Sequence, residues 1–193
     1  MSLDPIVKVQ QWVEEAYLSE PSEPTAMSVA TVDRTTGQPS LRLVLLRGVD
    51  KDGFVFYTNL KSKKGREIEQ NSRVALALHW KSLGRQLRVE GIASLVSESD
   101  ADMYFGTRAR GSQIGAWASD QSAVLDERQT LLKRIQRLDK KFVGQEVERP
   151  DFWSGYRVTP SSIEFWEDCA DRLHVRNYYW FDEGVWKTHL LYP

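Results

Sequence analysis

Cysteine is nearly missing from this sequence: there is one among 193 residues, at position 169. That excludes an internal disulfide and a cysteine-rich zinc cluster. Histidine is scarce as well. The three at positions 79, 174 and 189 never fall at the close spacing of a metal-binding helix motif, so no metal site is expected. Charge of one sign is also lacking. With 26 basic residues against 27 acidic ones and a net charge of −1, no global field draws nucleic acid or an anionic membrane. No apolar run approaches the roughly 20 residues of a membrane span, and Met1-Ser2-Leu3-Asp4-Pro5 shows no basic segment followed by an apolar one. The expectation is a cytoplasmic protein that binds neither nucleic acid nor membrane. A chain so poor in Cys and His, if it does redox chemistry, borrows a cofactor.

The length suits one domain spanning 1–193, since such a chain can bury roughly 70% of its unfolded surface. Asp4 and Pro5 open a helical pattern through Ile6, Val9, Val13 and Tyr17, giving an N-terminal helix within 1–20. From Ala26 the pattern turns to strands: Met27–Val32, Leu41–Leu46, Phe54–Thr58 after an Asp50–Gly53 turn, Arg73–Trp80 and Arg85–Val96. A short helix is expected from Ser62 to Asn71, another capped by Ser99, and a third carrying Leu131, Leu132, Ile135, Leu138 and Phe142. Strands at Trp153–Val158, Ser162–Trp166, Arg172–Phe181 and Val185–Leu191 fill residues 150–193. Hairpin connections and helices in blocks predict an α+β fold, an antiparallel barrel of six or more strands with flanking helices. The absence of a G-x-G-x-x-G, Walker A or G-x-S-x-G motif agrees.

Four constellations could carry chemistry. Ser62-Lys63-Lys64 with Arg66 places cations at a helix start, where they are unfavourable unless an anion joins them; a solvated basic turn explains them about equally well. Arg42-Leu43-Val44-Leu45-Leu46-Arg47 reads as a strand buried on both faces and bracketed by arginines. In Arg172-Leu173-His174-Val175-Arg176, period 2 puts Arg172, His174 and Arg176 on one strand face, which repels itself unless it meets water or an anion. Tyr104, Arg108 and Ser112, at spacings of four, can gather around one phosphate. Seven tryptophans serve either core packing or a planar ligand.

Together these segments, with Tyr57-Thr58-Asn59, Ser112-Gln113-Ile114-Gly115-Ala116-Trp117, Gln121-Ser122 and Glu164-Phe165-Trp166, resemble the pyridoxamine 5′-phosphate oxidases. These are FMN enzymes of the split-barrel flavin-binding fold, and the likeness runs from about Pro24 to Pro193.

The resemblance implies roles. The stretch Arg42, Leu43, Val44, Leu45, Leu46 and Arg47, with Tyr57, Thr58, Ser62, Lys63, Lys64, Gln86, Gln121, Ser122, Trp166 and Arg176, would hold FMN. Within it, Arg42, Lys63 and Lys64 would take the FMN phosphate. Tyr104, Arg108 and Ser112 would take a substrate phosphate, with Arg47 touching both ligands. Arg172, Leu173 and His174 would lie against the substrate's pyridine ring, Arg172 and His174 as the catalytic pair. It further implies an obligate homodimer with sites between subunits, completed by residues 150–193. The implied reaction is oxidation of pyridoxamine or pyridoxine 5′-phosphate to pyridoxal 5′-phosphate, with O₂ as acceptor and H₂O₂ as product. A related FMN oxidase acting on another planar substrate, such as a phenazine precursor, is the alternative. Three features depart from the family pattern. Arg47 replaces a common Lys, keeping the charge but with a planar fork. Val175 stands where Asp is usual, so altered packing or a lost ion pair is expected there. An amino-terminal arm bearing an Arg-Arg-x-Tyr lid has no counterpart.

Overall fold

The first helix forms where its capping chemistry places it. In the computed structural model, which describes residues 4–193, Asp4 accepts from the Ile6 N–H, and Pro5 occupies the first turn of α1 (Pro5–Ser19), where its missing N–H costs nothing. Residues 1–3, part of the expected 1–20 segment, lie outside the described residues. Ile6, Val9, Trp12 and Ala16 form the buried stripe of α1. Trp12 meets Phe165 edge-on at 4.9 Å, which ties the helix to the sheet.

Among the described residues nine strands form one antiparallel sheet: β1 (Ala26–Val32), β2 (Pro39–Leu45), β3 (Gly48–Asp50), β4 (Gly53–Asn59), β5 (Arg73–Trp80), β6 (Arg85–Leu95), β7 (Trp153–Glu167), β8 (Val175–Asp182) and β9 (Val185–Leu190). The path is β2-β1-β5-β6-β7-β4-β3, with β8 on β7 and β9 on β8. The two ends of that path are consecutive in the chain. At the corner joining them, Leu46 N donates to Thr25 O and Arg47 N to Val55 O, so neighbouring residues bond to opposite ends of the curled sheet. That is the antiparallel α+β barrel expected from the hairpin pattern, in the split form that the resemblance implied. Phe54, Phe56, Leu78, Leu87, Val89, Ile163 and Phe165 fill its buried core.

Four more helices flank the sheet: α2 (Lys63–Gln70), α3 (Glu98–Thr107), α4 (Arg110–Ala118) and α5 (Arg128–Lys141). The cap of α3 is Ser97, not Ser99. Its hydroxyl accepts from Asp100 N, and Glu98 and Asp100 then sit in the first turn, where the helix dipole favours acids. The helix α4 was not expected as a separate element.

Three strand expectations need correction. The two strands foreseen at Trp153–Val158 and Ser162–Trp166 are one, β7. Pro160 is tolerated inside it because the β6–β7 register shifts there, leaving Ser161 out of the ladder. Gly91 allows the close approach, since a Cβ on it would lie 2.3 Å from Thr159 O. Strand β2, at the end of the sheet path, is not buried on both faces: Leu41 and Leu43 are 67% and 70% exposed, uncovered by any other layer of the described residues. Finally, β8 begins at Val175 and not at Arg172. Residues Ala170–Arg172 form a 3-10 turn with Asp171 and Arg172 at φ 56° and 61°, so Arg172, His174 and Arg176 do not form one strand row.

Candidate active site

A cleft of about 490 Å³ opens between the β2 end, β4 and the α3–α4 pair. One wall is aromatic. Tyr57 on β4 stacks on Tyr104 of α3 with ring centroids 3.9 Å apart, and on Trp153 at 5.5 Å. The ladder explains the second contact: Asn59 pairs with Trp153 and Tyr57 with Gly155, so Tyr57 and Trp153 are diagonal neighbours on one face. Opposite Tyr57 only glycine fits, because a Cβ on Gly155 would lie 2.8 Å from the Tyr57 ring.

One end of the cleft is built by the start of α2. Ser62 caps that helix by accepting from Gly65 N. Lys64 Nζ donates to Thr58 Oγ1 at 2.8 Å, Ser62 Oγ at 3.1 Å and Gln121 Oε1 at 3.2 Å. All three partners are neutral. Burial, with the Arg42 charge adding to it, lowers the Lys64 ammonium from its ordinary value to about 8. The charged form is thereby disfavoured by about 3 kcal/mol relative to water, a cost that an adjacent anion offsets.

Arg42 and Lys63 do not line this cleft. Arg42 donates to Val29 O, Thr31 Oγ1, Ser40 Oγ and, at 3.3 Å, Glu67 Oε2, while Lys63 Nζ lies 3.8 Å from Glu67 Oε1. Burial alone would raise the Glu67 carboxyl. Hydrogen bonds from Ser40 and Thr31, with the Lys63 and Arg42 charges, hold it below the usual carboxylate range.

The other end belongs to Arg108, which caps the C-terminus of α3. Its guanidinium carbon lies 4.7 Å from the Trp153 ring centroid, a cation–π contact. Its Nη1 is buried without a hydrogen-bond partner among the described residues. Burial, and in smaller part the Arg47 charge, pushes Arg108 below its ordinary value against an opposing influence from Tyr104. Ser112, on the first turn of α4, faces the same space, and Arg47 lies 5.9 Å from the Tyr104 ring. Among the described residues the lining includes three cations, Arg47, Lys64 and Arg108, and no carboxylate. Such a cleft is built for anions.

The remaining expected residues form a second cluster. Gln86, Trp166 and Arg176 are neighbours across β6, β7 and β8. The His174 ring lies 4.5 Å from Trp166. Arg176 donates from Nε to Glu164 Oε1 at 2.7 Å and from Nη1 to Tyr192 O at 2.8 Å. Arg172 and Leu173 are exposed on the turn. None of these six lines the cleft. Trp153, in the cleft, and Trp166, in the cluster, are thirteen residues apart on β7, roughly 40 Å along an extended strand.

Two family models match the sequence. Residues 13–142 match "Pyridoxamine 5′-phosphate oxidase" and residues 153–193 match "Pyridoxine 5′-phosphate oxidase C-terminal dimerisation region". The chain belongs to the pyridoxamine 5′-phosphate oxidase family. A pyridoxine/pyridoxamine 5′-phosphate oxidase from Sphingopyxis alaskensis is 52% identical over the whole chain and 89% of its own length. One from Zymomonas mobilis is 46% identical over the full length of both. Among solved structures, PhzG from Burkholderia lata in complex with tetrahydrophenazine-1-carboxylic acid superposes with a TM-score of 0.93 at 32% identity, over 98% of this chain and 93% of that one.

Within this family member, the structure brings together Leu43, Val44, Leu45, Arg47, Tyr57, Thr58, Lys64, Tyr104, Arg108, Ser112 and Gln121. Leu46 is in the core instead. Ser62 acts through the α2 cap, and Ser122 (φ 72°) follows Gln121 outside the cleft. Sequence reasoning missed Trp153 and Ser119, and gave no role to Asn59, Gly115 and Ala116 although they lie in segments that carry the resemblance. Only the strand pairing of β4 with β7 reveals Trp153. A larger cavity, about 970 Å³, is lined by Lys61 and Arg66 but also by Glu69 and Asp151, so its charge does not favour an anion.

Proposed function

We propose that this chain oxidises pyridoxamine or pyridoxine 5′-phosphate to pyridoxal 5′-phosphate, using FMN and O₂ and releasing H₂O₂. The observation that carries this reading is the cleft itself, with two separated cationic ends, an aromatic wall and no carboxylate. Two phosphorylated, planar ligands need those features. Relatives bearing the corresponding name match over the full chain.

FMN fits the Lys64 end. The buried ammonium, with Thr58, Ser62 and Gln121 around it, suits a phosphate, and Arg42 and Lys63 add positive charge through the Glu67 network. When bound, FMN supplies the electron-accepting centre that the chain's own side chains lack. Arg108, Ser112 and Tyr104 orient the substrate by its phosphate, and the unpartnered Nη1 of Arg108 is the donor that this phosphate satisfies. Residues 1–193 act as a single FMN-binding unit. Gln86, Trp166, Arg172, Leu173, His174 and Arg176 complete the cleft of a second copy, in keeping with the dimerisation region matched at 153–193.

Anaerobic addition of pyridoxamine 5′-phosphate to the purified yellow protein should bleach the flavin, and air should restore it with formation of pyridoxal 5′-phosphate. A flavin-loaded protein inert to both phosphates sinks the proposal. Arg108→Ala should raise the KM for the substrate about 100-fold, the cost of removing a buried charge-assisted partner, and leave FMN content unchanged. The PhzG likeness supports a second reading, oxidation of a planar phenazine-type acid. An Arg108→Ala enzyme with unchanged affinity for pyridoxamine phosphate favours that one.

A further inference from the structure

The turn that carries His174 grips its imidazole at one nitrogen. Nδ1 lies 3.0 Å from Asp168 Oδ1 and 3.2 Å from the backbone N of Cys169. These two neighbours make opposite demands. The amide can only donate and needs a bare Nδ1, whereas the carboxylate can only accept and needs Nδ1–H. A hydrogen bond to a charged acceptor is roughly twice as strong as one between neutral groups. A bare Nδ1 would also set its lone pair against a carboxylate oxygen. The carboxylate therefore decides which nitrogen carries the proton.

Asp168 is itself held in place. Its N–H donates to Gly84 O at 2.8 Å, just past the Arg85–Glu167 pair that ends the β6–β7 ladder. Gly84 adopts φ +59°, and a Cβ there would lie 3.2 Å from the Asp168 Cβ, so glycine leaves the room that Asp168 occupies. Trp166 lies against the imidazole and restricts its rotation. The carboxylate that meets His174 comes from six residues upstream.

The geometry points to Asp168 as a positioning residue for His174. It holds the proton on Nδ1 and presents Nε2 as a hydrogen-bond acceptor to the donor group on the substrate's reacting carbon. The inference rests on the reading that His174 meets the substrate. Amine and alcohol substrates both carry a donor at that carbon, so one acceptor nitrogen serves both.

Proton–nitrogen correlation spectra of the holoenzyme labelled with ¹⁵N-histidine read the tautomer directly, with the His174 signals identified by their loss in His174→Gln. At a pH where the ring is neutral, the wild-type protein should show Nδ1–H. Asp168→Ala should switch the ring to Nε2–H, and should raise the KM for pyridoxamine 5′-phosphate about tenfold with FMN affinity unchanged. Asp168→Glu should recover part of both effects. An Nε2–H ring in the wild type, or the same tautomer in Asp168→Ala, overturns the assignment. A tautomer switch without a change in KM overturns its substrate-facing half. If turnover in His174→Gln is then also unchanged, the failure belongs to the underlying reading of the site and not to Asp168, since the tautomer measurement needs no substrate.

Discussion

The cleft and the turn after β7 are built by opposite means. All but two of the cleft residues, Arg47 and Gln121, sit on a regular element or its cap, and none of the lining residues has a positive φ. The turn holds two consecutive non-glycine residues, Asp171 and Arg172, in the left-handed region, with Arg172 and Leu173 exposed. The first region rests on regular structure, buries Lys64 and Thr58, and has no carboxylate among its described lining residues. The second is strained and open, and it leaves the Arg172 side chain exposed. Backbone strain of this kind persists only where surrounding structure over-determines it. The two regions lie toward opposite ends of β7, which fits the proposal that each site draws them from two copies.

Subunit complementation tests that contrast most sharply. Arg108→Ala disables the cleft and His174→Ala the turn, each leaving little activity alone. If each site takes its cleft from one copy and its turn from the other, mixed dimers contain one intact site of two. Co-folding equal amounts should then recover about a quarter of wild-type activity, since half of randomly paired dimers are mixed. No recovery, with mixed dimers verified by differential tags, places both regions in one subunit's site and breaks the comparison.

The buried end of the cleft makes a pH prediction with a definite sign. Lys64 is lowered to about 8 in the folded protein, against an unfolded value near 10.4. Between those values the unfolded chain binds a proton that the folded chain does not, so the flavin-free protein gains stability as pH rises through this window. Flavin binding runs the other way, because the phosphate prefers the charged ammonium. The FMN dissociation constant should increase by up to about tenfold per pH unit above 8, and Lys64→Met should flatten that slope. A slope that survives in Lys64→Met assigns the titration elsewhere.

Much of this contrast was legible in the sequence, but unevenly. The N-cap at Asp4, the helix start near Ser62 and the strands from Ala26 to Leu95 follow from local chemistry, and the fold bears them out apart from the short strand Gly48–Asp50, which was not expected. Lys63, Lys64 and Arg66 stand out together by their awkward place at a helix start, and only the fold separates them: Lys64 is buried while Lys63 and Arg66 are exposed. Alternation failed at Arg172–Arg176, because period 2 presumes a strand, whereas Asp171 and Arg172 turn through left-handed backbone that no local residue announces. Burial of β2 was misjudged for another reason. A run of apolar residues does not reveal whether its second face is covered by the same chain or left open, as Leu41 and Leu43 are. Trp153 and Asp168 were invisible, since each enters its cluster through pairings more than 60 residues distant in sequence: Trp153 with Asn59, and the backbone of Asp168 with Gly84.

The smallest effect expected is also the one that isolates the strain. Asp171 sits at φ 56°, where a non-glycine residue loses roughly 1 to 2 kcal/mol. Glycine avoids that loss but gives back roughly 0.5 to 1 kcal/mol through the greater freedom of the unfolded chain. Asp171→Gly should therefore stabilise the protein by about 0.5 kcal/mol, read as a higher denaturant midpoint with an unchanged slope. The same change loosens the turn that holds Arg172 and His174, so kcat/KM should fall a few-fold while flavin affinity stays constant. A gain in stability paired with a loss in turnover marks the strain as part of the site. If stability falls, or if turnover is untouched, the left-handed turn is an incidental feature of the β7–β8 connection, and the contrast with the cleft reduces to exposure alone.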